Sequence, residues 1–206
     1  MHKQVFIENR KLKKLPTHEK ITNIPIKIMI NVSEIFTTKP ENYKTPVQKS
    51  AYETLEKLSI PFGRVDCDEA ITMDDCLAID EALKVKVVKT LLLCNRQQTA
   101  FYLFITPGDK HFSTKDFSSA LGISRVSFAP SEQLGEKLGV TVGATTIFGM
   151  LNGSAKDVKV VFDRAVLSEE YIGLSDGTTT GYLKMLTRDL TDVFLPAISV
   201  QYETIF

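Results

Sequence analysis

Lys89 is the residue from which chemistry is most readily built. It stands in the middle of Val85–Cys94, Val-Lys-Val-Val-Lys-Thr-Leu-Leu-Leu-Cys, a run of β-branched and apolar residues that reads as a buried strand. A period of two puts Val87, Lys89, Leu91 and Leu93 on one face and Val88, Thr90, Leu92 and Cys94 on the other. An ammonium buried without a partner costs several kcal/mol or more. Lys89 therefore either snorkels from an edge strand to water or lines a pocket that waits for an anionic or carbonyl group. A second stretch suits the second role. Gly139-Val-Thr-Val-Gly-Ala-Thr-Thr-Ile-Phe-Gly-Met150 carries three glycines and several hydroxyls. Such a loop can aim backbone amides at an oxyanion or a phosphate, although an ordinary helix-to-strand connection has the same composition.

Other chemistries lack their residues. No Walker loop, Gly-x-Gly-x-x-Gly, Gly-x-Ser-x-Gly elbow or His-Glu-x-x-His is present. The three cysteines, Cys67, Cys76 and Cys94, lack Cys-x-x-Cys spacing, which argues against a disulfide framework or zinc site and for small apolar filler. His2, His18 and His111 show no metal-ligand spacing. No cofactor is expected. No apolar run approaches the roughly 18 residues of a membrane helix, and no signal-peptide core opens the chain, so a cytoplasmic location is expected.

The 206 residues, 43% apolar and 24% charged, suit one well-buried core. Net charge is zero, but residues 1–38 carry about +4. RNA binding would thus rest on a local patch such as Lys11, Lys13 and Lys14, which reads equally as a solvated face. Residues 1–38 look like a separate extension, with Ile24–Val32 readable as an edge strand, and residues 39–206 as the domain proper.

The elements that must position Lys89 follow in order. Thr45, Pro46 and Gln48 start a helix with Val47, Ala51, Leu55 and Leu58 on one face. Phe62–Cys67 is a short strand, and Thr72 and Asp75 form a capping box for a helix to Leu83, with Met73, Cys76, Leu77 and Leu83 as its apolar contacts. The Lys89 strand turns at Asn95–Gln98 into a strand over Thr99–Thr106. Ser113 and Asp116 cap a helix that Gly122 ends. Arg125–Ala129 is a strand and Pro130–Leu138 a short helix stopped by Gly139. Strands follow over Thr145–Leu151, Val158–Phe162, Tyr171–Leu174 and Thr178–Met185. A helix over Arg188–Phe194 ends before Pro196, and Tyr202–Phe206 is an apolar tail. This order predicts an α+β fold, a mixed, largely antiparallel central sheet with short helices packed around it.

Val88-Lys-Thr-Leu-Leu-Leu, Ile105-Thr-Pro-Gly-Asp-Lys, Arg125-Val-Ser-Phe-Ala and the Gly139 loop occur in one order and spacing. With Met73-Asp-Asp-Cys-Leu-Ala-Ile-Asp-Glu-Ala-Leu and Glu169-Glu-Tyr-Ile-Gly, they resemble the YbaK/prolyl-tRNA synthetase-associated domain family, over about Glu41 to Ala197. The likeness is greatest to its freestanding prolyl-tRNA editing proteins. The resemblance implies a metal-independent, trans-acting deacylase that removes a small mischarged amino acid, alanine first, from tRNA(Pro). It implies the aminoacylated 3′ acceptor end of tRNA as partner, and allows prolyl-tRNA synthetase as another. The family lysine that holds this 3′ end matches Lys89, and its next residue, asparagine, is Thr90 here. Gly139, Gly143, Thr146, Phe148 and Gly149 match the family loop or nearly so, while Val142, Ala144 and Ile147 replace two prolines and a serine. The family's His-Pro falls at Ser175-Asp176, and a nearby asparagine at Thr179, beside Thr180. With this carry-over, Lys89, Gly143 and Thr146 are the expected catalytic groups. Thr72, Met73, Thr90, Gly139, Phe148, Gly149, Ser175 and Thr180 are the expected substrate contacts, with Thr72, Met73 and Phe148 near the wall that judges side-chain size. The missing histidine and loop prolines imply the alternative, a catalytically altered or inactive paralogue that serves as a tRNA- or synthetase-binding module.

Overall fold

Among the described residues, eight strands divide between two sheets. The structure, a computed structural model, describes residues 30–206. Expectations for the Lys11–Lys14 run, His2, His18 and residues 24–29 of the proposed edge strand lie outside the described residues. The larger sheet has the order β4–β2–β3–β5–β8, from Val126–Phe128, Lys89–Asn95, Phe101–Thr106, Val158–Asp163 and Tyr202–Ile205. Pairs β2–β3 and β2–β4 are antiparallel, while β3–β5 and β5–β8 are parallel. The smaller sheet is antiparallel, with order β1–β7–β6 from Gly63–Asp66, Gly181–Leu186 and Tyr171–Ser175. The α+β class is as expected, but there are two sheets where one central sheet was read. An isolated parallel bridge between Val87 and Gly173 connects them.

The alternation read for the Lys89 strand sorts its faces as expected. Leu91 and Leu93 pack towards helix α3 (Thr114–Leu121) with Tyr102, Phe104, Phe117 and Val161. Val88, Leu92 and Cys94 join the main core with Leu103, Ile105, Val160 and Phe162. The strand itself starts only at Lys89, because Val85–Val88 turns aside to the smaller sheet, where the Val88 N–H donates to the Gly173 carbonyl at 2.9 Å.

Capping chemistry fixes the helices. Thr45 accepts from the Gln48 N–H at the start of α1 (Pro46–Lys57), whose Val47, Ala51, Tyr52 and Leu55 are buried. Ser113 accepts from Asp116 N–H, and Gly122 ends α3 at φ 64°. Such caps each contribute about 1 kcal/mol. Thr72 and Asp75 bond to each other as expected, yet they form a turn, and α2 (Cys76–Leu83) begins after it. Leu77 points outward, while Ile79 takes the apolar contact expected of it.

Three other readings need correction. Thr145–Leu151 is not a strand: Thr146 caps a 3-10 helix over Ile147–Leu151. Its apolar residues are buried by packing on α1 and on Leu134–Leu138, so the hydrophobic run there carries no strand period. The last helix does not stop before Pro196. It continues from Thr187 to Ala197, with a wide turn over Leu190–Phe194 ahead of the proline. The tail is strand β8, parallel to β5. Val32 and Phe36 form antiparallel bridges with Cys67 and Arg64, beside β1.

Candidate active site

The turn before α2, the start of β2 and the Gly143 loop converge where the two sheets meet. They enclose a cavity of about 360 Å³. Lys89 and Thr90 come from β2, Thr72 and Met73 from the turn, Gly143 from the loop, and Ser175 from the end of β6. These six residues, far apart in sequence, line one cavity. Around them stand Ile71, Val142, Leu134 and Phe128, largely apolar, and the hydroxyls of Ser131, Thr145 and Tyr182.

Lys89 is the one charged side chain among the described residues that line the cavity. Its half-buried ammonium donates to the Lys110 carbonyl at 2.9 Å. An ammonium has three donors, so this bond orients the group without exhausting it. Lys110 is itself held by its ion pair with Asp163, a carboxylate 1% exposed that also accepts from Thr106 Oγ1. A chain of contacts from β5 through the Pro107–Lys110 turn thus sets where the Lys89 charge sits.

Gly143 has φ 86°, a region that disfavours side chains. A Cβ there would also stand 3.3 Å from the Ile71 backbone and 3.2 Å from Thr179 Cγ2. Glycine is required for the loop to close on the turn before α2. The Ala144 N–H donates to Thr141 within the loop, which leaves the Gly143 and Thr145 amides outside that turn's own bonding among the described residues.

The remaining expected contacts stand behind the wall. Thr146 is fully buried, donates to the Ser175 carbonyl at 2.6 Å and accepts from Phe148 N–H. It fastens the loop to β6 and is not among the cavity residues, a correction to its expected catalytic place. Phe148 does not wall the cavity either: it meets Phe194 edge-on in the core, with ring centroids 5.3 Å apart. Gly149 is needed because a Cβ would come within 2.8 Å of Leu138. Gly139 ends the Leu134–Leu138 turn at φ 68°, against Val47. Thr180 lies outside the cavity lining and accepts from the Lys44 ammonium. Ser175 does line the cavity, but its hydroxyl donates to the Thr178 carbonyl at 2.8 Å.

Sequence reasoning passed over a buried polar hub beside this wall. Asp176, 1% exposed, accepts from Gln48 Nε2 and Tyr52 Oη at one oxygen and from Thr178 N–H and Oγ1 at the other. Burial pushes its carboxyl above the ordinary range, against the pull of these donors. Gln48 and Tyr52 lie more than 120 residues away. The one local signal was a carboxylate between Ser175 and Gly177 at the end of an apolar strand. Tyr182 was missed too. It donates to the Ala70 carbonyl and lines the cavity beside Cys76. Burial pushes the Cys76 thiol up to about 11, which keeps it protonated and a poor nucleophile.

The aminoacyl-tRNA editing domain family model matches residues 68–193. The chain belongs to that family. The matched span contains every residue that lines the cavity, from Ile71 to Tyr182, whereas α1, which supplies Gln48 and Tyr52 to the Asp176 hub, precedes it. A prolyl-tRNA editing protein, ProX, of Acetoanaerobium sticklandii is 25% identical over 139 residues, or 68% of this chain and 85% of that one. Among solved structures, hypothetical protein APE2540 aligns with TM-score 0.60 at 18% identity, over 76% of this chain and 98% of its own. A candidate trans-editing enzyme for prolyl-tRNA synthetase aligns with TM-score 0.57 at 16% identity, over 79% and 98%. These structural likenesses establish the fold of the editing domain.

Proposed function

We propose that this editing domain is a trans-acting aminoacyl-tRNA deacylase that hydrolyses a small mischarged amino acid, alanine first, from tRNA(Pro). The observation that carries the reading is Lys89, the one charged side chain among the described residues that line the cavity of an editing domain. The likeness to a prolyl-tRNA editing protein supports the choice of tRNA.

An aminoacyl ester is already activated, so positioning and electrostatic stabilisation supply most of the acceleration. Lys89 neutralises phosphate or polarises the ester at the terminal adenosine. The amides around Gly143 meet the oxyanion as water adds to the carbonyl carbon. The bond to the ribose oxygen then breaks, and the proton of the attacking water ends on that oxygen. No imidazole or carboxylate stands among the described lining residues, so this proton passes by way of hydroxyls such as Thr90 or Thr145, or through solvent. Ile71, Met73 and Val142 judge the side chain. Excluding a larger residue by clash is easier than rejecting a smaller one, since a missing methylene gives only about 1–3 kcal/mol.

The deciding experiment incubates the protein with alanyl-, cysteinyl-, seryl- and prolyl-tRNA. Loss of alanine from tRNA(Pro), abolished by Lys89→Ala, supports the reading. Hydrolysis of another ester would move the substrate, and no hydrolysis at all would refute the enzyme. The second reading, a non-hydrolysing tRNA- or synthetase-binding module, draws on Ser175-Asp176, where the family has His-Pro. Binding without ester loss in the same panel would favour it.

A further inference from the structure

The chain enters the described structure beside a groove that the editing reading leaves unused. Its entry point is fixed. The Asn31 N–H and Nδ2 both donate to Asp68 Oδ2, at 2.9 and 2.8 Å, and the Asp68 N–H returns to the Asn31 carbonyl. Ile30, next to them, packs against the α2 cluster and lines the groove. The groove runs between α2, Val85–Val88, the Pro107–Asp109 turn and the segment 165–172. Seven carboxylates and two lysines line it, and one of the lysines, Lys86, is paired with Asp109. Leu77 and Tyr171 are exposed along it. So strong a negative face disfavours RNA phosphate and favours a basic, partly apolar occupant.

Residues 1–29 have that composition. They hold seven Lys and Arg against two Glu, with Leu12 and Leu15 flanking Lys13 and Lys14. We propose that residues 1–29 dock in this groove of their own chain, basic side chains against Asp74, Glu81, Glu169 and Glu170 and apolar ones on Leu77 and Tyr171. The proposal is independent of the editing reading. Because Ile30 already sits on the groove, the segment is presented at an effective concentration of order millimolar, so individually weak contacts suffice. Its charge then neutralises the acidic face that shares Val88 with the candidate active site.

The test is zero-length carbodiimide cross-linking of the full chain, as a mixture of ¹⁴N- and ¹⁵N-labelled protein, followed by peptide mapping. Expected are amide links within one chain from Lys11, Lys13 or Lys14 to Asp74, Glu81, Glu169 or Glu170, declining as salt is raised. In Glu169→Gln/Glu170→Gln, an exposed pair of changes, the links to Asp74 and Glu81 should fall at least threefold with the circular dichroism unchanged. Equal linking to carboxylates elsewhere, such as Asp157 and Glu203, would overturn the proposal. So would links found only between differently labelled chains, or links to Asp74 and Glu81 that ignore the double substitution.

Discussion

The ammonium of Lys89 donates to the carbonyl of Lys110 at 2.9 Å, while the ammonium of Lys110 pairs with buried Asp163. The two ammonium groups thus have different partners, and the backbone of Lys110, held by that ion pair, sets the direction of Lys89. Lys89→Met keeps the apolar stem and removes the charge. Deacylation measured as kcat/KM should fall about 100-fold, the scale of losing one oxyanion-stabilising group, with the melting temperature little changed. An unaltered rate would remove Lys89 from the mechanism.

Gly143→Ala should cost about 1–2 kcal/mol, since its left-handed backbone is unfavourable to an L side chain. The added methyl also presses on Ile71 and Thr179. Because Gly143 and Ile71 both line the cavity, kcat should fall by more than urea-unfolding stability alone accounts for. Equal losses in a Gly139→Ala control, which is strained but remote from the cavity, would show that general strain explains the effect.

Thr146→Val keeps shape and leaves the buried Ser175 carbonyl without its hydroxyl donor. An orphaned buried acceptor costs about 1–3 kcal/mol. Unfolding in urea should show that loss, and Thr146→Ser should restore most of it. If Thr146→Val abolished deacylation while still folded, and Thr146→Ser restored it, the hydroxyl would have a chemical role that its placement here does not give it.

Asp176 makes stability depend on pH. Its folded-state carboxyl lies above the ordinary 3.8 because burial outweighs its four donors. The folded protein therefore holds this proton more tightly than the unfolded chain. The associated stability is present below 3.8 and lost as pH rises through the raised value. Asp176→Asn cannot ionise, so its unfolding free energy should lack this decline, and the two proteins should diverge as pH rises above about 4. Parallel pH profiles would contradict a raised carboxyl.

The legible parts of the molecule were those with local causes. Thr45 and Ser113 read as caps because each bonds within its own first turn. Lys89 stood out because a charge in an apolar strand needs a reason, and Gly143 because three glycines in one loop need one too. Thr145–Leu151 misled because β-branched and apolar residues serve a buried 3-10 turn as well as a strand. Pro196 misled because a widened turn lets the helix pass it. Thr146 and Phe148 belong to the right loop, but spacing says nothing about which side of a loop meets a cavity. Asp176 was hidden because its partners come from α1, at the other end of the domain.

Val87 and Gly173 form the isolated bridge between the two sheets, two residues ahead of Lys89 and two ahead of Ser175. A Cβ on Gly173 would press on Lys86 O, Val85 Cγ1 and Val87 Cα, each 3.1 Å away. That seam carries the lysine on one lip of the cavity and the serine on the other. A methyl group at residue 173 would press on Val87, which itself lines the cavity, and so would alter the gap between the two lips without replacing either Lys89 or Ser175.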